Sequence, residues 1–194
     1  MDQGTGVTVR TEQPADGQAV RRVVTAAFGD EGAQVADLVA GLNDSGHRRV
    51  SLVAEVDGEV CGHVQLSRSW LDARERLVDV LVLSPLSVAP ELQGRGIGTS
   101  LLRAAVEAAA AEGSPAVFLE GSPAYYGARG FEPGASRGFV RPSVRIPEPA
   151  FQVVVLGAHE AWMTGALVYC EAFWTHDCVG LRDPALAALE QMFD

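Results

Sequence analysis

The sequence contains no lysine, and all 15 of its basic residues are arginine. No residue can therefore form a Schiff base, act as a lysine base or supply the phosphate-gripping lysine of a P-loop. Cysteine is scarce as well. Cys61, Cys170 and Cys178 are odd in number, with neither a pairing pattern nor metal-ligand spacing, so no disulfide framework and no metal centre is expected. No apolar run approaches the ~20 residues of a membrane-spanning helix, and Met1–Gly6 carries no basic, apolar leader. The expectation is a protein of the reducing cytoplasm with no membrane partner. Positive charge is in deficit, at a formal net −10. Such a chain repels nucleic-acid phosphates and attracts cations such as amines.

What is present suits one α/β domain: 194 residues, 47% hydrophobic, enough for a full core. Val7–Thr11 alternates like a strand. Pro14–Phe28 and Glu31–Leu42 carry apolar residues at helical spacing, predicting two helices side by side. Asp57-Gly58 predicts a hairpin between strands Val50–Val56 and Glu59–Ser67. In the second of these Val60, Gly62, Val64 and Leu66 share one face and Cys61, His63, Gln65 and Ser67 the other. Trp70–Arg76 reads as a polar connector. Val78–Val88 reads as a long strand interrupted at Ser84-Pro85, because proline cannot donate to a ladder. A short buried strand (Ala116–Glu120), a brief helix from Pro123, a loop over Gly134–Pro149, strands Phe151–Leu156 and Leu167–Tyr169, and a final helix Ala185–Phe193 follow. That last helix packs on the domain or serves a homodimer partner.

The chain is organised around Leu86–Glu112, a strand, a glycine-rich turn and a long helix. Gln93-Gly94-Arg95-Gly96-Ile97-Gly98 places three glycines where the helix begins. There the first backbone N–H groups have no internal partner and the helix dipole is positive, which makes the turn a ready phosphate site. The turn is not a Walker loop, which needs a lysine. It is not the dinucleotide fingerprint either, since the glycines read G-x-G-x-G rather than G-x-G-x-x-G.

The turn resembles the Q-x-x-G-x-G motif of the GNAT superfamily of acetyl-CoA-dependent N-acetyltransferases, matched at Gln93, Gly96 and Gly98, with the leading Leu-x-Val-x-Pro-Glu at Leu86–Glu91. A second element, Tyr126 to Gly130-Phe131, is similar to the family's Tyr-x-x-x-Gly-Phe. Pro123–Gly127 and Phe151–Val153 resemble the small bacterial YhbS-like branch. The likeness spans about residues 7–173, leaving 174–194 as a C-terminal extension with a short helix. It implies the GNAT fold: an α/β architecture with a mixed, mostly antiparallel central sheet, splayed at the acetyl-CoA wedge and flanked by helices.

The resemblance further implies acetyl-CoA as cosubstrate. The diphosphate falls to Gln93, Gly94, Arg95, Gly96, Ile97, Gly98 and Thr99, and the pantetheine arm to the main chain of Leu86, Ser87 and Val88. Tyr126 is implied as the acid that protonates the departing thiolate. The family often sets a glutamate on the strand before the turn, but Leu83–Val88 has none. Glu120 is the best substitute base, with His63, Asp79 and Glu31 behind it. Glu31 and His63 are candidates for contact with the acceptor, expected to be a small-molecule amine. The alternatives are a protein amine, or a non-catalytic acyl-CoA-binding module, which the missing carboxylate favours.

Overall fold

The computed structural model describes residues 6–192. In chain order it forms β1 (Thr8–Thr11), α1 (Gly17–Phe28), α2 (Gly32–Asp44), β2 (Arg48–Val56), β3 (Glu59–Ala73), β4 (Leu77–Val88), α3 (Ile97–Ala111), β5 (Ala116–Glu120), α4 (Pro123–Gly127), β6 (Glu132–Pro133), β7 (Phe139–Val140), β8 (Phe151–Val155), β9 (Gly165–Val168), α5 (Glu171–Thr175) and α6 (Ala185–Glu190). Contacts gather into two compact units. One takes the chain up to Ser67 together with Leu83–Ala109; the other takes Arg68–Val82 and the chain from Ala110 onward.

In the first unit β1, β2 and β3 form antiparallel ladders, with Val9 opposite Ala54 and Val53 opposite His63. The two faces are covered differently. Gly62 lies against Ala54, Ile97 and Leu101, so α3 covers the face of Gly62, Val64 and Leu66. Val53 instead packs with Val20, Val24 and Ala36 of α1 and α2. Residues directly opposite in an antiparallel ladder share a face. His63 and Gln65 therefore lie beneath α1 and α2. A register shift at Cys61 also brings Val60 against the Val20, Val24 and Ala36 cluster, so Val60 does not share the face of Gly62 as the alternation predicted.

In the second unit β5 runs parallel to the first half of β4, with Leu81 opposite Val117, and antiparallel to β8, which carries β6 on its other edge. Its core is aromatic: Phe118 meets Phe139 edge-on at 4.9 Å and stacks on Phe151 at 5.7 Å.

Three expectations are corrected. Trp70–Ala73 is not a connector but the end of β3, because it pairs with Gly165–Val168. The supposed loop Gly134–Pro149 contains β7, which pairs with β9. The strand through Ser84-Pro85 is not interrupted but continues to Val88, and its pairing with β5 is confined to Leu81 and Val82, ahead of the proline, as a splay requires. The final helix covers Ala185–Glu190 and buries no residue; Phe193 and residues 1–5 lie outside the described residues. Among the described residues no helix is long and apolar enough to cross a membrane, and no group of three His, Cys, Asp or Glu is placed to hold a metal.

Candidate active site

At the end of β4, Ala89 donates its N–H to Cys61 O at 2.8 Å, and a single turn over Pro90–Leu92 leads into the glycine corner. Gly94 and Gly96 take φ of +75° and +84°, a left-handed conformation that side chains other than hydrogen resist. No atom lies within 4 Å of the place where either Cβ would stand. The glycines are therefore required by backbone shape, and the space before them is open. Ile97, 2% exposed, anchors the first turn of α3, and the first intrahelical bond runs from Ser100 N to Gly96 O at 3.0 Å. Amides preceding Ser100 have no acceptor inside the helix. Arg95 is exposed beside this corner, the only positive side chain in the turn. Gln93 is exposed. Its Nε2 donates to Val88 O at 3.1 Å and ties the corner to the end of β4. Of the pairing strand, Ser87 is buried, while Leu86 and Val88 are half-buried.

In the second unit α4 carries Tyr126. Its ring lies so close to Gly121 that a Cβ there would sit 2.3 Å from Cε2, and it meets Phe131 edge-on at 5.8 Å. Burial, reinforced by neighbouring Tyr125, pushes its hydroxyl up to about 12, so the proton stays on oxygen throughout the physiological range. Tyr125 does not point away from Tyr126: its ring meets that of Tyr126 edge-on at 4.9 Å and lies under Arg129 at 3.7 Å. Glu120 is already occupied. Tyr169 donates to its Oε1 at 2.8 Å and the Gly180 N–H to its Oε2 at 2.9 Å. Burial raises its pKa, opposed by those two bonds. The carboxylate thus fastens the C-terminal extension to the end of β5. Glu120→Ala is expected to cost about 1–3 kcal/mol by orphaning the Tyr169 hydroxyl and the Gly180 N–H. Limited proteolysis should then cut between residues 176 and 182; an unchanged digestion pattern would remove this role.

The model of the Acetyltransferase (GNAT) family matches residues 19–131 of this chain, spanning the corner, α4 and the Gly130-Phe131 pair. The chain belongs to that family. It is 35% identical over 144 residues to the uncharacterized N-acetyltransferase YjhQ of Escherichia coli (strain K12), covering 73% of this chain and 78% of that one. A crystal structure of the GNAT N-acetyltransferase YhbS from Escherichia coli in complex with CoA superposes with a TM-score of 0.79 at 28% identity, covering 89% of this chain and 94% of that one. A GNAT acetyltransferase from Brucella melitensis in complex with acetyl-CoA gives a TM-score of 0.70 at 28% identity, over 87% and 99% of the two chains. The fold is the GNAT fold, and the class is acetyl-CoA-dependent N-acetyltransferase.

The remaining candidates of this GNAT chain separate clearly. Glu31 is exposed on the turn joining α1 and α2. Asp37 pairs with Arg21 at 2.9 Å, Asp79 with Arg68 at 2.9 Å and Arg103 with Glu107 at 4.0 Å, all on exposed faces. These are solvated pairs of little energetic weight. His63 is different. It is fully buried, its Nε2 lies 3.0 Å from Ser51 Oγ, and Ser51 in turn donates to Glu12. Open contact with an acceptor, as expected from the sequence, is not what surrounds it. Glu12 and Ser51 were not singled out from the sequence. The legible signal was the alternation of β3, which stacks His63, Gln65 and Ser67 on one face, every one of them buried; at Cys61 a register shift breaks the alternation.

Proposed function

We propose that this chain transfers the acetyl group of acetyl-CoA to the amine of a small molecule, by direct attack within a ternary complex, in the cytoplasm. The open glycine corner carries the proposal. The N-terminal end of α3 with its positive dipole, and exposed Arg95, lie at this corner, and nothing stands within 4 Å of a Cβ placed at Gly94 or Gly96. The same ligand class is present in the YhbS and Brucella structures. The formal charge of −10, with Asp30 and Glu31 exposed between α1 and α2, favours a cationic acceptor. Three cysteines with no disulfide between them agree with a reducing compartment.

In this scheme the main chain of Leu86–Val88 pairs with the pantetheine amides as an added strand would. The Val88 N–H stabilises the oxyanion of the tetrahedral intermediate. Tyr126, in the family's tyrosine position with its proton held by burial, protonates the thiolate as it leaves. Residues 174–194 are an extension to the transferase domain of residues 1–173.

Thioester loss from acetyl-CoA, followed across small amines and a lysine-bearing peptide, is the direct test. Turnover highest with small amines is the expected result. Bound CoA with no turnover on any amine would replace the enzyme with a non-catalytic CoA-binding module. Tyr126→Phe is expected to lower kcat about 100-fold with little change in KM for acetyl-CoA. An unaltered kcat removes Tyr126 as the acid.

A further inference from the structure

Beneath α1 and α2 the sheet of the first unit buries polar atoms that have no partner. His63 and Gln65 are both 0% exposed and stand two residues apart on one face of β3. The Nδ1 of His63 and both the Oε1 and the Nε2 of Gln65 lack a hydrogen bond among the described residues. Each such atom is destabilising, and native interiors seldom tolerate them in groups. The other side of the imidazole is fully specified. Ser51 has one proton, and it goes to Glu12; its oxygen must then accept from His63, which fixes the Nε2–H tautomer and leaves a lone pair on Nδ1. Glu12, whose side chain is 7% exposed, lies 3.8 Å from Nε2 and would attract the ring should it gain a proton. The cluster also adjoins β4, where Ser87 Oγ donates to His63 O at 3.3 Å.

We infer that His63 and Gln65 form the acceptor subsite, with His63 Nδ1 the proton acceptor and the Gln65 amide the group that orients the substrate. The inference rests on the acetyl-transfer role proposed above and supplies the base which Leu83–Val88 lacks. The three atoms together ask for two N–H donors and one oxygen acceptor. A primary amine beside a hydroxyl or carbonyl oxygen meets that demand: its N–H groups satisfy Nδ1 and Oε1, and its oxygen accepts from Nε2. A plain alkylamine leaves Nε2 unpaired.

In the reaction the amine nitrogen forms its bond to the acyl carbon and yields a proton to Nδ1 as the carbon–sulfur bond breaks. The sulfur takes a proton from Tyr126, and solvent exchanges one proton with each side chain to restore both. Ser51 and Glu12 are positioning residues that hold the tautomer. Because both side chains are enclosed, the acceptor reaches them only when the covering α1–α2 pair moves, so binding must be read at His63 itself.

The probe is ethanolamine, compared with n-propylamine, which replaces the hydroxyl by a methyl. In ¹⁵N-labelled wild-type protein saturated with CoA, ethanolamine is expected to shift the His63 Nδ1 resonance away from its lone-pair position at a concentration about tenfold lower than n-propylamine, which offers the same N–H donors but leaves Gln65 Nε2 unpaired. A resonance that ethanolamine does not move overturns the subsite, whatever other amines are acetylated. A resonance that moves in a protein consuming no thioester keeps the subsite and overturns the acetyl-transfer role instead. His63→Asn should lower kcat with ethanolamine about 100-fold, flatten its pH profile and leave CoA affinity unchanged. Ser51→Ala, a smaller perturbation of the fold, should shift the pH limb while reducing kcat less. A folded His63→Asn enzyme with the wild-type rate and pH profile overturns the base.

Discussion

Gly96→Asp is expected to weaken CoA binding by at least ~100-fold, measured by calorimetry, while the protein stays folded. Two effects act together. The residue sits at φ +84°, where a Cβ is strained by about 1–2 kcal/mol. That strain is a modest fraction of domain stability. The larger effect is electrostatic. A carboxylate ~4 Å from a phosphate, at the effective dielectric of a protein surface, adds about 4 kcal/mol of repulsion per charge pair. It also fills space that is open in the wild type, since nothing lies within 4 Å of the added Cβ. At 1.4 kcal/mol per tenfold, repulsion alone accounts for two to three decades of affinity. Gly96→Ala, carrying the strain without the charge, should lose far less. Arg103→Ala should lose almost nothing, because that side chain is exposed and paired with Glu107. Undiminished CoA affinity in Gly96→Asp would dismiss the corner as the phosphate site.

The corner was readable because its chemistry is local. Three glycines between a strand and a helix dictate their own backbone shape, and Gly94 and Gly96 take the positive φ that the spacing implied. The hairpin at Asp57-Gly58 was legible for the same reason, both residues having positive φ. What failed to be legible was set by partners distant in sequence. Trp70–Arg76 reads as a polar connector because of Asp72, Arg74, Glu75 and Arg76, yet Gly165–Val168, nearly a hundred residues later, makes its first four residues strand. Phe139–Val140 is too short to show a period, and its pairing with β9 is what defines it. At the site, Gln93 counted toward the phosphate motif but turns back onto Val88, a contact that depends on the path of Pro90–Leu92 rather than on the motif. Glu120 ends a strand in an unremarkable way. Only the return of Tyr169 and Gly180 shows that its carboxylate is engaged. His63 could be assigned to a face, but not its hydrogen-bond chain, because Ser51 reaches it from β2 and Glu12 from the residue after β1.

That buried histidine gives the second large effect. Loss of solvation, with a smaller contribution from the charge of Arg48, pulls the His63 imidazole down to about 4, against about 6.5 in an unfolded chain. The folded protein therefore binds fewer protons than the unfolded one between those values, and ∂ΔG/∂pH of unfolding is positive there. The penalty is absent above pH ~6.5, grows as pH falls and is complete near pH ~4. At 1.36 kcal/mol per unit it totals about 3 kcal/mol, a large part of a domain's stability. Glu12, 3.8 Å from Nε2, would attract the protonated ring, whereas Arg48, 3.5 Å from the same Glu12 oxygen, draws on that carboxylate and repels it. About 3 kcal/mol is therefore the upper end of the loss. Other groups titrate in the same range, so the informative quantity is the difference from His63→Asn, measured by urea unfolding at pH 7, 6, 5 and 4. The variant should start less stable at pH 7 and lose stability more slowly between pH 6.5 and 4, the two curves converging. Parallel curves would mean that the imidazole takes up its proton without leaving the folded state, with Glu12 as counter-ion. Below pH ~6.5 the ring would then carry a positive charge beneath α1 and α2, and it could accept a proton from the acceptor amine only above that pH.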